Sequence, residues 1–169
     1  VEHINHAAVE LARRAIGDEA GRYVAGSIGP TTKLPSLGHI EVDEMAAVMA
    51  EQTRALVEAG VDVLILETCQ DMLQAKTALI AALETLDATG RDVPIMLSVT
   101  FEKQGTMLVG SDIASVVATF EPYPVFSLGL NCATGPTDME SHIRYLSHNW
   151  PGRISCVPNQ GLPEVVDGQ

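Results

Sequence analysis

Basic residues are scarce in this chain. Ten lysines and arginines stand against 22 aspartates and glutamates, a formal net charge of −12 over 169 residues. Such a surface repels phosphate backbones and argues against a nucleic-acid partner. No apolar run approaches the roughly 20 residues of a membrane-spanning helix, and nothing reads as a secretory leader. The expectation is therefore a cytoplasmic protein with no membrane role. The three cysteines, Cys69, Cys132 and Cys156, are odd in number and far apart, which is not a disulfide framework. Several local motifs are also missing: Gly-x-Gly-x-x-Gly, a Walker loop, a Gly-x-Ser-x-Gly elbow, Cys-x-x-Cys and His-Glu-x-x-His. Their absence argues against a dinucleotide, a nucleotide triphosphate, a serine-hydrolase elbow and a zinc site of local spacing.

Apolar residues are plentiful, at 46%, which excludes intrinsic disorder. Five runs rich in β-branched residues lie near Tyr23–Ile28, Val61–Glu67, Pro94–Thr100, Pro124–Asn131 and Arg153–Pro158. Most are continuously apolar rather than alternating, as in parallel strands covered on both faces. Helical patterns separate them. Val1–Ile16 places Ile4, Ala8, Leu11, Ala12 and Ala15 on one face. Asp43–Ala59 carries Met45, Val48, Met49, Leu56 and Val57 on a broad stripe and stops at Gly60. Asp71 is placed to cap a third helix and Ser111 a fourth. Thr137 and Glu140 form a Thr-x-x-Glu capping box before a fifth, which Trp150-Pro151 ends. Helix and strand alternate with a period of about 30 residues, as in a (β/α)8 barrel. A full barrel takes about 250 residues. The pattern alone fits either an open five-stranded sheet or five strands of an incomplete barrel. The Pro- and Gly-bearing stretch Gly29–Ile40 is a long loop, a length that is often functional.

Parallel β/α folds gather their chemistry at the carboxyl ends of the strands. Those ends read GSIGPT, LETCQD, SVTFEK, GLNCATGP and CVPNQGLP. Glu67 follows a buried run directly and needs a partner there: a substrate ammonium, or a salt bridge or hydrogen bond to a nearby loop. Cys132 precedes a Gly-Pro turn and reads as a metal ligand, a nucleophile or a small buried hydrophobe. Cys156 reads as core packing and Cys69 as core or as a residue behind the rim. The five histidines have no ligand spacing on one face and read as solvated.

Taken in order, VAGSIGPT, LVEAGVDVLILETCQDMLQAK, VPIMLSVTF, SLGLNCATGP and CVPNQGLP resemble the homocysteine S-methyltransferase family over nearly all the chain. LETCQDMLQAK points to its cobalamin-dependent branch rather than the betaine-using one. The resemblance implies a (β/α)8 barrel, of which residues 1–169 look like strands three to seven with their outer helices. The first two strands and the last would be missing, leaving an incomplete homocysteine-binding domain. It also implies a zinc ion held by three cysteine thiolates, of which this chain carries one, Cys132. The other two belong to a Gly-Gly-Cys-Cys-Gly motif absent here. Glu67 would contact the homocysteine ammonium, and Ser27 and Asn131 would shape the pocket. Asn159 would sit beside the zinc as a possible amide-oxygen ligand, although the family more often reads Asn-Ala-Gly where this chain has Asn159-Gln160-Gly161. The implied reaction is methyl transfer to a zinc-bound homocysteine thiolate, giving methionine. Methylcobalamin would be carried on another domain, with a folate-binding domain reloading it. The alternatives are a stand-alone homocysteine methyltransferase using betaine or S-methylmethionine, a different barrel enzyme with a phosphate or metal-oxygen site, and a non-catalytic binding fragment.

Overall fold

The structure, a computed structural model, describes residues 1–160. The last three residues of CVPNQGLP and the terminal Gly168-Gln169 lie outside the described residues.

The element order is α1 Glu2–Ile16, β1 Ala25–Ile28, a short 3-10 turn Pro35–Leu37, α2 Val42–Glu58, β2 Val63–Cys69, α3 Met72–Thr89, β3 Ile95–Val99, α4 Ile113–Phe120, β4 Ser127–Asn131, α5 Pro136–Asn149 and β5 Arg153–Val157. The strands form one sheet in sequential order, β1-β2-β3-β4-β5, and every neighbouring pair is parallel. Each parallel step needs a crossover, and the intervening helix supplies it.

The register shows how the two faces differ. Ile28, Leu66, Leu97, Leu128 and Ile154 lie level across the sheet, and the first four are at most 2% exposed. This row faces the helices, whose buried residues Met45, Met49, Leu56, Ala75, Leu79, Val116 and Phe120 complete the same core. Full burial of one such leucine is worth roughly 1.5–3 kcal/mol. The alternate row, Ser27, Ile65, Met96, Ser127 and Arg153, faces the other way. Toward the amino ends of the strands, that face carries an apolar hollow of about 240 Å³ lined by Tyr23, Asp62, Val63, Pro94, Met96 and Phe126.

Several local expectations change. The cap of α4 is Asp112, whose carboxylate accepts from Ser115 N–H at 2.8 Å, rather than Ser111. Helix α5 begins at Pro136 with Gly135 as its cap, and no side chain caps it. Proline at the first helical position presets φ, so Thr137 already lies inside the helix and the capping box does not form. On α1, Ile4 and Leu11 are 74% and 59% exposed. Only Val9 is buried, because α1 packs against α2 along a narrower stripe than its apolar content implies. Val48 is likewise 46% exposed. Cys156 is exposed rather than core: its sulfur lies 3.8 Å from Met139 Sδ at the incompletely covered margin beside α5. His142 is half-buried and stacks on Phe101, with ring centroids 4.5 Å apart.

Candidate functional site

The carboxyl ends of all five strands lie on one edge of the parallel sheet. On β1, Ser27 points away from the helices. On β2, Glu67 does the same, because Val63, Ile65 and Glu67 alternate with buried Leu64 and Leu66. The two meet: Ser27 Oγ donates to Glu67 Oε1 at 2.5 Å. That bond engages one of the two carboxylate oxygens of Glu67.

Beyond Glu67 the alternation breaks. Leu66 pairs with Leu97 and Cys69 with Val99, so β2 spends one residue more than β3 over this span. A bulge of this kind bends a strand and re-aims side chains. Thr68 absorbs the extra residue at φ 61, the left-handed region that β-branched residues rarely occupy. Such strain costs on the order of 1–3 kcal/mol and persists only where neighbours over-determine it. The bulge sends Cys69 into the helix-side core, where it is 3% exposed. Burial, with smaller contributions from the charges of Glu67 and Asp71, pushes its thiol up to about 12. Cys69 is thus a protonated, inert sulfur at neutral pH.

Asn131, at the end of β4, holds the bulge. Its Oδ1 accepts from Thr68 N–H at 3.0 Å and from Ser98 Oγ at 2.6 Å. Its Nδ2 donates to Thr68 Oγ1 at 2.8 Å and to Cys132 Sγ at 3.1 Å. Thr100 Oγ1 donates to its backbone oxygen at 3.0 Å. Asn131 is 3% exposed, and its amide has a partner for both lone pairs and both N–H groups, as burial requires.

Cys132 follows at φ 59 and Ala133 at φ 54, so the chain turns sharply off β4 and leaves the sulfur half-buried at the rim. Cys132 N–H donates to Val157 O at 3.2 Å, and Asn159 N–H donates to Thr134 O at 3.1 Å. These two bonds hold the segment after β5 beside the Cys132 turn. The long loop after β1 is pinned from the other side. Asp71, 1% exposed, caps α3 through Leu73 N–H and also accepts from Ser36 N–H at 3.0 Å and Ser36 Oγ at 2.6 Å.

All five residues singled out in the sequence, Ser27, Glu67, Asn131, Cys132 and Asn159, therefore occupy the same sheet edge. Hydrogen bonds join Ser27 to Glu67 and link Asn131 to Cys132, with Thr68 the next residue after Glu67. Thr68, Ser98 and Thr100 were not singled out, and they complete the polar layer. Their signal was hydroxyl residues interrupting LETC and LSVT at equivalent heights. As a metal site, the described residues fit one corner: Cys132 offers a single accessible sulfur, with Asn159 nearby in the chain path. Among the described residues, the group of three potential ligands with atoms within 4.8 Å of one another is Glu2, His6 and Glu58, on the outer helices and away from this rim. The apolar hollow at the opposite sheet end contains one carboxylate, Asp62, already paired with Arg13 at 2.7 Å. Among the described residues, no helix is long and apolar enough to cross a membrane.

Comparison with known proteins adds the context of this arrangement. The family model described as homocysteine S-methyltransferase matches residues 1–169. A methionine synthase of Mycobacterium tuberculosis is 40% identical over 168 residues, covering 96% of this chain and 14% of that protein. One from Mycobacterium leprae is 44% identical over 142 residues, covering 84% of this chain and 12% of that protein. The chain thus spans about one seventh or less of the length of these relatives. Among solved structures, the homocysteine methyltransferase MmuM from Escherichia coli in its apo form superposes with a TM-score of 0.77 at 28% identity, over 95% of this chain and 61% of that one. Its metallated form gives 0.76 at 26% identity, over 95% and 59%. The five parallel strands and their helices are accordingly part of such a barrel.

Proposed function

The chain belongs to the homocysteine S-methyltransferase family, and from that premise we propose that it holds homocysteine for methyl transfer, as part of a cobalamin-dependent methionine synthase. In this reading residues 1–169 supply barrel strands three to seven, and the rest of the protein closes the barrel. It also provides two further thiolates and carries the folate- and cobalamin-binding domains. The observation that carries the reading is the shared rim: a carboxylate oriented by Ser27 and an accessible sulfur at Cys132, joined through Thr68 and Asn131.

Glu67 receives the substrate ammonium on the oxygen that Ser27 leaves free. Cys132 would give one sulfur to a zinc ion, and Asn159, whose N–H donates to Thr134 O beside the Cys132 turn, would be the residue to offer it an amide oxygen. When bound, zinc supplies the Lewis acidity that takes a thiol, ordinarily near pKa ~8.5, to the thiolate at neutral pH. The protein's own part is to place the substrate: the Glu67 ion pair fixes one end of homocysteine, and its thiol is then directed along the rim toward Cys132. The methyl donor is methylcobalamin from another domain. The higher identity to the two methionine synthases than to the Escherichia coli enzyme favours this branch over a stand-alone enzyme using betaine or S-methylmethionine.

The test uses the full-length protein, with zinc stoichiometry and homocysteine binding measured separately. Cys132→Ala is expected to lose the metal. Glu67→Gln is expected to keep it and to bind homocysteine about 10- to 100-fold more weakly, the worth of one charged hydrogen bond at about 1.5–3 kcal/mol. Normal zinc in Cys132→Ala, or unchanged homocysteine affinity in Glu67→Gln, overturns the corresponding assignment. Methyl transfer from methylcobalamin, assayed beside betaine and S-methylmethionine, decides the donor.

A further inference from the structure

We propose that Asn131 is the positioning residue that locks the Glu67 side of the site to the Cys132 side, so that carboxylate and sulfur keep one fixed separation. The inference rests on the homocysteine-binding reading above and deepens it. Asn131 is poorly placed to contact substrate, because it is 3% exposed and both ends of its amide are occupied within the chain. Its partners are what single it out. Two of its four side-chain hydrogen bonds go to Thr68, one to the backbone N–H and one to the hydroxyl. Thr68 is the residue that carries the bulge at φ 61 and immediately follows Glu67. A third goes to Cys132 Sγ at 3.1 Å, and the fourth anchors the amide to Ser98 on the strand between. One planar group thus spans β2, β3 and β4 at the height of the rim. Its rigidity sets the relation between the two ends of the substrate site, in the way that supporting hydrogen bonds commonly orient metal-binding and substrate-binding side chains.

The two halves of the clamp are separable. Toward β2, the amide compensates a backbone conformation that glycine adopts freely. A glycine at position 68 therefore replaces the clamp's conformational work without restoring its bonds. Toward β4, the Nδ2–H to Sγ bond fixes the sulfur itself, and glycine at 68 does nothing for it.

The experiment uses the full-length protein and three variants, Asn131→Ala, Asn131→Ala/Thr68→Gly and Asn131→Asp. Homocysteine affinity is titrated directly, and the metal environment is read from the absorption of the cobalt(II)-substituted protein in its sulfur-to-metal band. Asn131→Ala is expected to weaken homocysteine binding at least tenfold and to shift the cobalt spectrum. Adding Thr68→Gly is expected to recover most of the lost affinity and none of the spectral shift. Asn131→Asp keeps the size and the acceptor oxygen but loses both donated bonds. It is expected to shift the spectrum, and it is the variant to read if the alanine protein fails to fold. Unchanged affinity and spectrum in Asn131→Ala or Asn131→Asp, while Glu67→Gln still weakens binding, overturn this inference alone. Thr68→Gly restoring nothing overturns the clamp on the bulge and reduces Asn131 to ordinary packing. A wild-type protein that takes up no homocysteine overturns the functional reading and this inference with it.

Discussion

Replacing Gly129 by alanine tests whether the β4–β5 junction frames the site. Gly129 pairs with Ser155 in the parallel ladder. A Cβ added at Gly129 would lie 1.9 Å from Ser155 Oγ, 2.2 Å from Ser155 O and 2.8 Å from Ser155 C. The hydroxyl can rotate away, but the carbonyl belongs to the ladder. Relieving the closest backbone contact needs about 1 Å of strand separation, judged against ordinary van der Waals spacing. Overpacking of this kind costs about 1–3 kcal/mol, and one or two weakened ladder hydrogen bonds add about 1 kcal/mol each. The total of about 2–5 kcal/mol falls on β5 rather than on the whole fold. Amide exchange of residues 153–157 in the full-length protein is therefore expected to accelerate by more than tenfold, while β2 and β3 amides stay near wild type. Homocysteine affinity should fall as well, because the bonds Cys132 N–H to Val157 O and Asn159 N–H to Thr134 O cross the same junction. A second change, Ser155→Gly, should not rescue either property, since the obstructing carbonyl remains. Wild-type exchange in Gly129→Ala, or full rescue by Ser155→Gly, would refute the reasoning.

Three further outcomes follow from the same geometry. Alkylation of the native protein at mildly alkaline pH should spare Cys69, which is buried and whose thiol is pushed up to about 12; mass spectrometry of the peptides checks this, and rapid labelling of Cys69 would contradict its core position. Arg13 holds the Asp62 carboxyl below its ordinary value of 3.8, with help from Val24 N–H. A depressed carboxyl contributes stability that is present above its unfolded value and lost as pH falls through its folded one. Wild type should accordingly lose urea resistance below about pH 4 more steeply than Asp62→Asn, and equal slopes would exclude the pair as a contributor. Leu79→Ala removes a fully buried side chain between α3 and the sheet and is expected to cost about 2–5 kcal/mol by cavity formation, measured by denaturant unfolding with homocysteine absent.

The architecture was readable because parallel strands covered on both faces leave nearly continuous apolar runs, and each of the five runs overlaps an observed strand, β2 alone running on past its run to Cys69. Asp71 was legible as a cap because an aspartate before an apolar stripe has little else to do there. Strand ends also exposed Glu67 and Cys132, because polar residues at the limit of a buried run are costly without a purpose. What the sequence hid was relational. The bulge at Thr68 leaves no mark in LETC, where threonine is an ordinary strand residue. Only the pairing with β3 reveals that Cys69 points the other way. The same holds for Asn131, whose part depends on Ser98 and Thr68 arriving from two other strands. At the margins, the apolar residues of α1 and the core reading of Cys156 misled for one reason. Composition records that a face is apolar, whereas burial depends on whether a neighbour covers it.

The one-residue excess in β2 also decides how many sulfurs this segment presents at the rim. Side chains on a strand alternate between two faces, so without that excess Cys69 would share the face of Glu67 and stand near Cys132. A further sulfur there would give Cys132 a neighbour with which it could close to a disulfide under oxidation. By shifting the phase once, at Thr68, the fold presents a single sulfur from this segment and stores the other where neither metal nor oxidant reaches it. The strained threonine thus sets, through strand parity alone, which sulfur faces the rim.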